Sequence, residues 1–148
     1  MDGYIYTGKQ MTKMHLDSKK ERIYIAGPFS PFNSGGKKVK CNVYDGVREL
    51  SKNIDTAIKN GISVIDKGHY VYVPHLDHYI QTNHSSHTNY GVWWYENDMT
   101  YIDHWATAIL MGEGWKHSNG SIKEHERAKE LGLKIYYNVE DIPNAISK

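Results

Sequence analysis

Four short apolar runs, Ile23–Ala26, Tyr70–Val73, Ala106–Met111 and Leu133–Tyr137, recur along the chain with helix-patterned stretches between them. Each is too short for a buried helix, and Ile and Val favour the extended backbone, so each reads as a buried strand. Strands that alternate with helices pair in parallel, because the connecting helix carries the chain back across the sheet before the next strand begins. The expected architecture is therefore an α/β sandwich around a mostly parallel sheet of four or five strands. In such sheets ligands bind beyond the carboxyl ends of the strands. That singles out the loops after Gly27, Val73, Met111 and Tyr137.

The intervening pattern is helical. Ile54, Ala57/Ile58, Gly61/Ile62 and Ile65 fall at helical spacing, with Gly68 as a stop. Gly61 inside this stretch marks either close packing or a break into two helices. Residues 76–90 read as a long loop or a short irregular helix, and 91–104 as a helix. Ser121–Leu131 is expected to be a helix ended by Gly132, and Val139–Ile146 a final one. Residues 1–22 read as an N-terminal extension with a short strand at Tyr4–Thr7. Residues 23–148 read as one domain, an ordinary size for 148 residues.

Charge and composition narrow the function. Lys and Arg number 18 against 17 Asp and Glu, a net charge of +1, which gives no global attraction to nucleic-acid polymers or membranes. No apolar stretch is long enough to span a bilayer, and the first 22 residues lack the apolar core of a signal peptide. A single cysteine, Cys41, excludes an intrachain disulfide and is compatible with a reducing, cytoplasmic setting. Twelve Tyr and four Trp, each an apolar face with a polar handle, suit a pocket for a polar ligand as well as a small core.

Several groups of residues have the chemistry for a site. Gly27-Pro28-Phe29-Ser30 follows the first strand, where glycine admits a ligand close to the backbone and Ser30 has a donor for a phosphate or sugar; the alternative is a plain tight turn. Neither a Walker loop nor a dinucleotide fingerprint is present. Ser118 and Gly120 stand at the mouth of a helix, where free N–H groups favour an anion. Glu124, one turn further, points toward the carboxyl edge of the sheet; otherwise it is a first-turn glutamate complementing the helix dipole, as Glu126 and Glu130 are. Asp98, on the helix before the third strand, is placed to orient a hydroxyl, whereas Asp103 reads as a surface charge. His69, His75, His78, His84 and His87 include the spacings His75-x-x-His78 and His84-x-x-His87 that metal ligands use, but there is no HExxH helix and no cysteine partner. No metal or other cofactor is expected. A Gly-x-Ser-x-Gly elbow is absent, and Cys41 has no specific base beside it.

Taken together, Tyr24-Ile25-Ala26-Gly27-Pro28, Asn53-Ile54…Ala57, Gly68-His69-Tyr70-Val71-Tyr72-Val73-Pro74-His75-Leu76, Asp98 and Ser118-Asn119-Gly120-x-x-x-Glu124-x-x-x-Ala128 occur in an order that resembles the nucleoside 2-deoxyribosyltransferase superfamily, over residues 22 to 140. The resemblance is greatest to the small proteins grouped beside the 2'-deoxynucleoside 5'-phosphate N-hydrolases. It implies a flavodoxin-like three-layer sandwich, a homodimer or higher homo-oligomer, and cleavage of an N-glycosidic bond in a nucleoside or nucleoside 5'-monophosphate by hydrolysis or base exchange. It further implies Glu124 as the nucleophile, Tyr24 beside it, Asp98 on the sugar or leaving base, and Ser118 on a 5'-phosphate. Gly27, Pro28, Ser30, His75 and Gly120 would complete the substrate site. The chain departs from the pattern in having Ala106-Thr107 where an aspartate often opens the third strand, and Pro28-Phe29-Ser30 in place of Ser and Arg after the glycine. A nucleotide-binding module without turnover, and a metal-dependent hydrolase built on the histidine loop 75–87, are the competing expectations.

Overall fold

The computed structural model describes residues 17–30, 43–83 and 90–145. Four strands, β1 (Arg22–Ala26), β2 (Tyr70–Tyr72), β3 (Ala108–Met111) and β4 (Lys134–Tyr136), form one sheet in the order β2-β1-β3-β4. Every pairing is parallel, with Tyr24 opposite Tyr72 on one side and Ile109 on the other. Helix α1 (Val43–Asp66) joins β1 to β2. Helices α2 (His78–Asn83) and α3 (Tyr90–His104) lie between β2 and β3, and α4 (Asn119–Glu130) joins β3 to β4. This is the flavodoxin-like three-layer sandwich expected from the sequence.

The two-residue period of the strands divides the core into two layers. Ile23, Ile25, Ala108 and Leu110 face α1, where they pack with Ala57, Val64 and Ile142. Tyr24, Ala26, Ile109 and Met111 face the other way, against Ile102 of α3 and Ala128 of α4. Right-handed crossovers dictate this: the chain runs from β1 to β2 in one direction and from β2 past β1 to β3 in the other, so α1 and α3 must lie on opposite faces. The reversal of direction between β1 and β3 leaves a crevice at the carboxyl ends of the strands.

Helix α1 is continuous through Gly61. A Cβ there would stand 2.9 Å from Val73 Cγ2, so glycine marks close helix–sheet packing and not a break. Its buried face is Ile54, Ala57, Gly61 and Val64, whereas Ile62 and Ile65 are exposed. Gly68 and Gly132 end α1 and α4 with positive φ, 88° and 68°, the left-handed conformation that other residues rarely adopt.

One expected element is corrected. The expected helix Val139–Ile146 does not form over its described part, 139–145: there is only a single 3-10 turn, Val139–Asp141, and Ile142 is extended at φ −78° and ψ 121°. Pro143 disfavours the helical conformation at the residue before it, and Ile142 gains more from burial against α1 than a second turn would supply. Where a loop or short irregular helix was expected from residue 76, a 3-10 turn at Pro74–Asp77 leads directly into the short α2, and residues 84–89 lie outside the described ones. Tyr4–Thr7, Cys41, His84 and His87 lie outside the described residues. No helix among the described residues is long and apolar enough to cross a membrane.

Candidate active site

Tyr24 is the central residue of β1, and its alternation places the ring on the α3/α4 face, fully buried at 0% exposure. Its hydroxyl donates to Glu124 Oε1 at 2.7 Å. Glu124 reaches that point because Ser118 fixes where α4 begins: the Ser118 side chain accepts the backbone N–H of Ser121 at 3.3 Å, an N-cap that opens the helix at Asn119. Glu124 then falls on the second turn, on the helix face turned toward the sheet.

Above this pair lies a cavity of about 390 Å³. Its walls come from the loop after β1 (Gly27, Phe29), the turn after β2 (Pro74, His75, Asp77, His78), α3 (Trp94, Tyr95, Asp98) and the opening of α4 (Ser118, Gly120, Ser121, Glu124). Three of the four strand-end loops read from the sequence as ligand-binding thus meet at one place. The volume lies in the range of small-molecule sites.

The cavity is acidic. Three carboxyl groups, Asp77, Asp98 and Glu124, line it, and among the described residues no lysine or arginine does. The Glu124 pKa stands at about 8: burial raises it most, the Tyr24 hydrogen bond pulls it back and the Asp98 charge adds to the rise. Asp98 rises to about 7, through burial first and the Asp77 charge second. Burial and the neighbouring Glu124 hold the Tyr24 phenol well above its ordinary range, so it stays a donor. Asp77, itself raised by burial, accepts the Tyr72 hydroxyl at 3.0 Å. Tyr72 in turn stacks on Tyr101 at 3.8 Å between ring centroids, which fixes the ring below the cavity wall.

His75 is 4% exposed, and burial lowers its pKa, keeping the ring neutral. Its Nε2–H donates to the Pro28 carbonyl at 3.1 Å, which leaves Nδ1 as an acceptor with no partner. Asp98 Oδ1 and Ser121 Oγ are likewise buried without a hydrogen-bond partner. Unsatisfied buried groups cost free energy, and all three belong to residues that line this one cavity.

The structure brings Glu124, Asp98, Gly27, His75, Ser118 and Gly120 to the cavity, with Tyr24 beneath Glu124. Pro28 instead lines a neighbouring polar cavity of about 510 Å³ on the α1 face, with Gly27 and His75 between the two. Ser30 lines neither, and Ser118 Oγ is engaged as a helix cap. Asp103 is a surface residue paired with Arg127 at 2.7 Å, as its sequence position suggested. Among the described residues no group of three or more His, Cys, Asp or Glu is arranged to hold a metal ion. His69 lies at the opposite end of the sheet from His75, with both ring nitrogens bonded.

Asp77, Tyr95 and Ser121 belong to the cavity but were not singled out by sequence. Asp77 carried a usable signal, three residues beyond the proline that ends the second strand. Ser121, three residues after the cap, carried one as well. Tyr95 had none beyond being next to Trp94.

Fold and site together define a flavodoxin-like α/β protein with an acidic, aromatic-walled cavity at the carboxyl edge of its sheet, centred on a buried Tyr–Glu pair. The chain belongs to the family described as a domain of unknown function, DUF4406, whose model matches residues 21–137. No curated protein matches it at a significant level.

Proposed function

We propose that the protein cleaves the N-glycosidic bond of a nucleoside or nucleotide, with Glu124 as the nucleophile. The observation that carries the proposal is the Glu124 carboxyl held by Tyr24 at the base of a ligand-sized cavity. Resemblance to the nucleoside 2-deoxyribosyltransferase superfamily over the same residues supports it.

Glycoside cleavage develops positive charge on the sugar, and a carboxylate beneath C1' both stabilises that charge and traps it. In the first step a Glu124 oxygen bonds to C1' as the C1'–N bond breaks. The bonding pair goes to the base nitrogen, and for a neutral base Asp98 supplies the proton. In the second step water bonds to C1', the ester bond breaks, Glu124 recovers its electron pair and Asp98 takes the water proton. A second base replaces water in the transferase version. Asp98, pushed up to about 7, can hold and release a proton near neutral pH. The Tyr24 hydrogen bond keeps Glu124 from rising further, so the carboxylate is within reach at pH 8.

The test is incubation with a panel of nucleosides and 5'-monophosphates, with free base followed by chromatography. Glu124→Gln is expected to slow base release by about a thousandfold or more, since a missing nucleophile leaves only binding contributions. Base release at the parent rate by this variant would refute the mechanism. A second reading, binding without turnover, is favoured by the raised Glu124 pKa, which keeps much of the nucleophile protonated at pH 7; tight ligand binding with no base release from any substrate would select it.

A further inference from the structure

The lining of the cavity bears on which base it accepts. Its charge-bearing groups are the carboxyls of Asp77, Asp98 and Glu124 and the imidazoles of His75 and His78, and among the described residues no lysine or arginine joins them. Of these, Asp98 Oδ1 and His75 Nδ1 are buried with nothing donating to them, and His75 is 4% exposed. The rest of the wall is aromatic, with Phe29 packed against His75 and His78 at centroid distances of 6.0 and 5.7 Å, and Trp94 and Tyr95 on α3. Tyr95 already has a cation over its ring: Lys123 Nζ is 5.3 Å from the centroid, on the outer surface where α3 meets α4.

Carboxylates and aromatic faces around one space are the two elements that hold a flat organic cation. At pH 8 a phosphate dianion in the same space would face a mostly ionised Asp98 and a Glu124 near its midpoint, with only the opening of α4 in its favour.

We infer that the substrate is a nucleoside whose base is itself a cation, a pyridinium-type or N-alkylated heterocycle, held against the aromatic wall with its positive charge toward Asp77 and Asp98. This rests on the N-glycosidase reading above and specifies its substrate. The chemistry fits that reading. When the C1'–N⁺ bond breaks, the pair neutralises the ring nitrogen and the base departs neutral, so no proton is needed from Asp98. Asp98 then serves only to receive the proton of the attacking water. A cation beside Glu124 also favours its ionised form, so substrate binding activates the nucleophile, whereas a bound dianion would favour its protonated form.

The experiment has two arms on the full chain. The first is calorimetric titration at pH 8 with N-methylpyridinium-3-carboxamide and with neutral pyridine-3-carboxamide, which need neither a variant nor turnover. The cation is expected to bind at least tenfold more tightly, and Asp77→Asn is expected to reduce that preference. Equal binding, tighter binding of the neutral ring, or no binding of either overturns the inference. The second arm compares base release from a pyridinium riboside, its 5'-monophosphate and neutral nucleosides, each relative to its spontaneous hydrolysis. The unphosphorylated pyridinium riboside is expected to lead. Lys37, Lys38 and Lys40 lie outside the described residues, and whatever they add appears here: a tenfold gain from the 5'-phosphate, or a lead by neutral nucleosides, overturns the inference while leaving the N-glycosidase reading intact. Absence of Glu124-dependent release from every substrate defeats that reading instead.

Discussion

The two ends of the sheet treat the same residue types in opposite ways. At the amino end, His69 accepts the Glu21 N–H at Nδ1 (3.0 Å) and donates from Nε2 to the Pro143 carbonyl (2.6 Å). Glu21 takes Lys134 at 2.6 Å and the Tyr136 hydroxyl at 3.2 Å. The Thr107 hydroxyl accepts the Arg22 N–H at 2.8 Å. At the carboxyl end, among the described residues, His75 keeps Nδ1 bare, Asp98 and Ser121 have unpartnered oxygens, and Glu124 has a phenol alone where Glu21 has a phenol and an ammonium. Polar groups satisfied within the chain hold the fold together. Polar groups left unpaired beside a cavity cost stability, so folding alone does not account for them.

Substitutions at the two ends should therefore separate activity from stability. The largest effect belongs to the carboxyl end, where Glu124→Gln is expected to remove base release while leaving the thermal midpoint at pH 8 equal to or above the parent's. At the amino end the pattern inverts. His69→Ala strands the Glu21 N–H and the Pro143 carbonyl and opens a void, and is expected to cost about 2–4 kcal/mol in denaturant unfolding, with the pH optimum of the surviving activity unchanged. If His69→Ala shifted the pH optimum, or if Glu124→Gln unfolded the protein, the contrast would fail.

The pH dependence sharpens the comparison further. Glu124 at about 8 and Asp98 at about 7 lie well above the usual carboxyl values near 4. In the unfolded chain both ionise first, so between pH 4 and 8 the folded state holds more protons. Stability is then greatest below pH 4 as far as these two groups are concerned, and falls as pH rises through the folded values, by on the order of 2 kcal/mol or more. Urea midpoints at pH 5 and pH 8.5 should show this fall, and Glu124→Gln should flatten it. An unchanged slope in the variant would remove Glu124 as its source.

A smaller effect is expected of Tyr24→Phe. Losing the hydroxyl costs about 1 kcal/mol of hydrogen bonding and lets the Glu124 pKa rise, since Tyr24 was holding it down. For a substrate whose base leaves neutral without a proton, activity climbs as Glu124 ionises, and the variant's rise should move to higher pH with a loss of about ten- to a hundredfold at pH 7. An unshifted profile would make Tyr24 a packing residue only.

Much of this site was legible in the sequence because it depends on periodicities. The helical start at Ser118 suffices to aim Glu124 at the carboxyl edge of the sheet, whereas Tyr24 was placed beside it by the family resemblance. Tyr95 escaped notice because its role is set by how α3 and α4 converge, which no local pattern records, whereas Asp77 and Ser121 stood at readable offsets from Pro74 and Ser118. Val139–Ile146 shows a local pattern misleading: helix-compatible residues are overridden by Pro143 and by the pull of Ile142 into the core. Ser30 shows the converse, a residue with the right chemistry that does not line the cavity.

The central claim is that Glu124 takes the sugar covalently. Its most direct test is mass spectrometry of the acid-quenched protein during turnover of the best substrate in the panel, with the peptide containing Glu124 isolated and fragmented. The account predicts one added sugar on Glu124, absent from Glu124→Gln. Sustained base release with that peptide unmodified, or with the sugar on another residue, would contradict it.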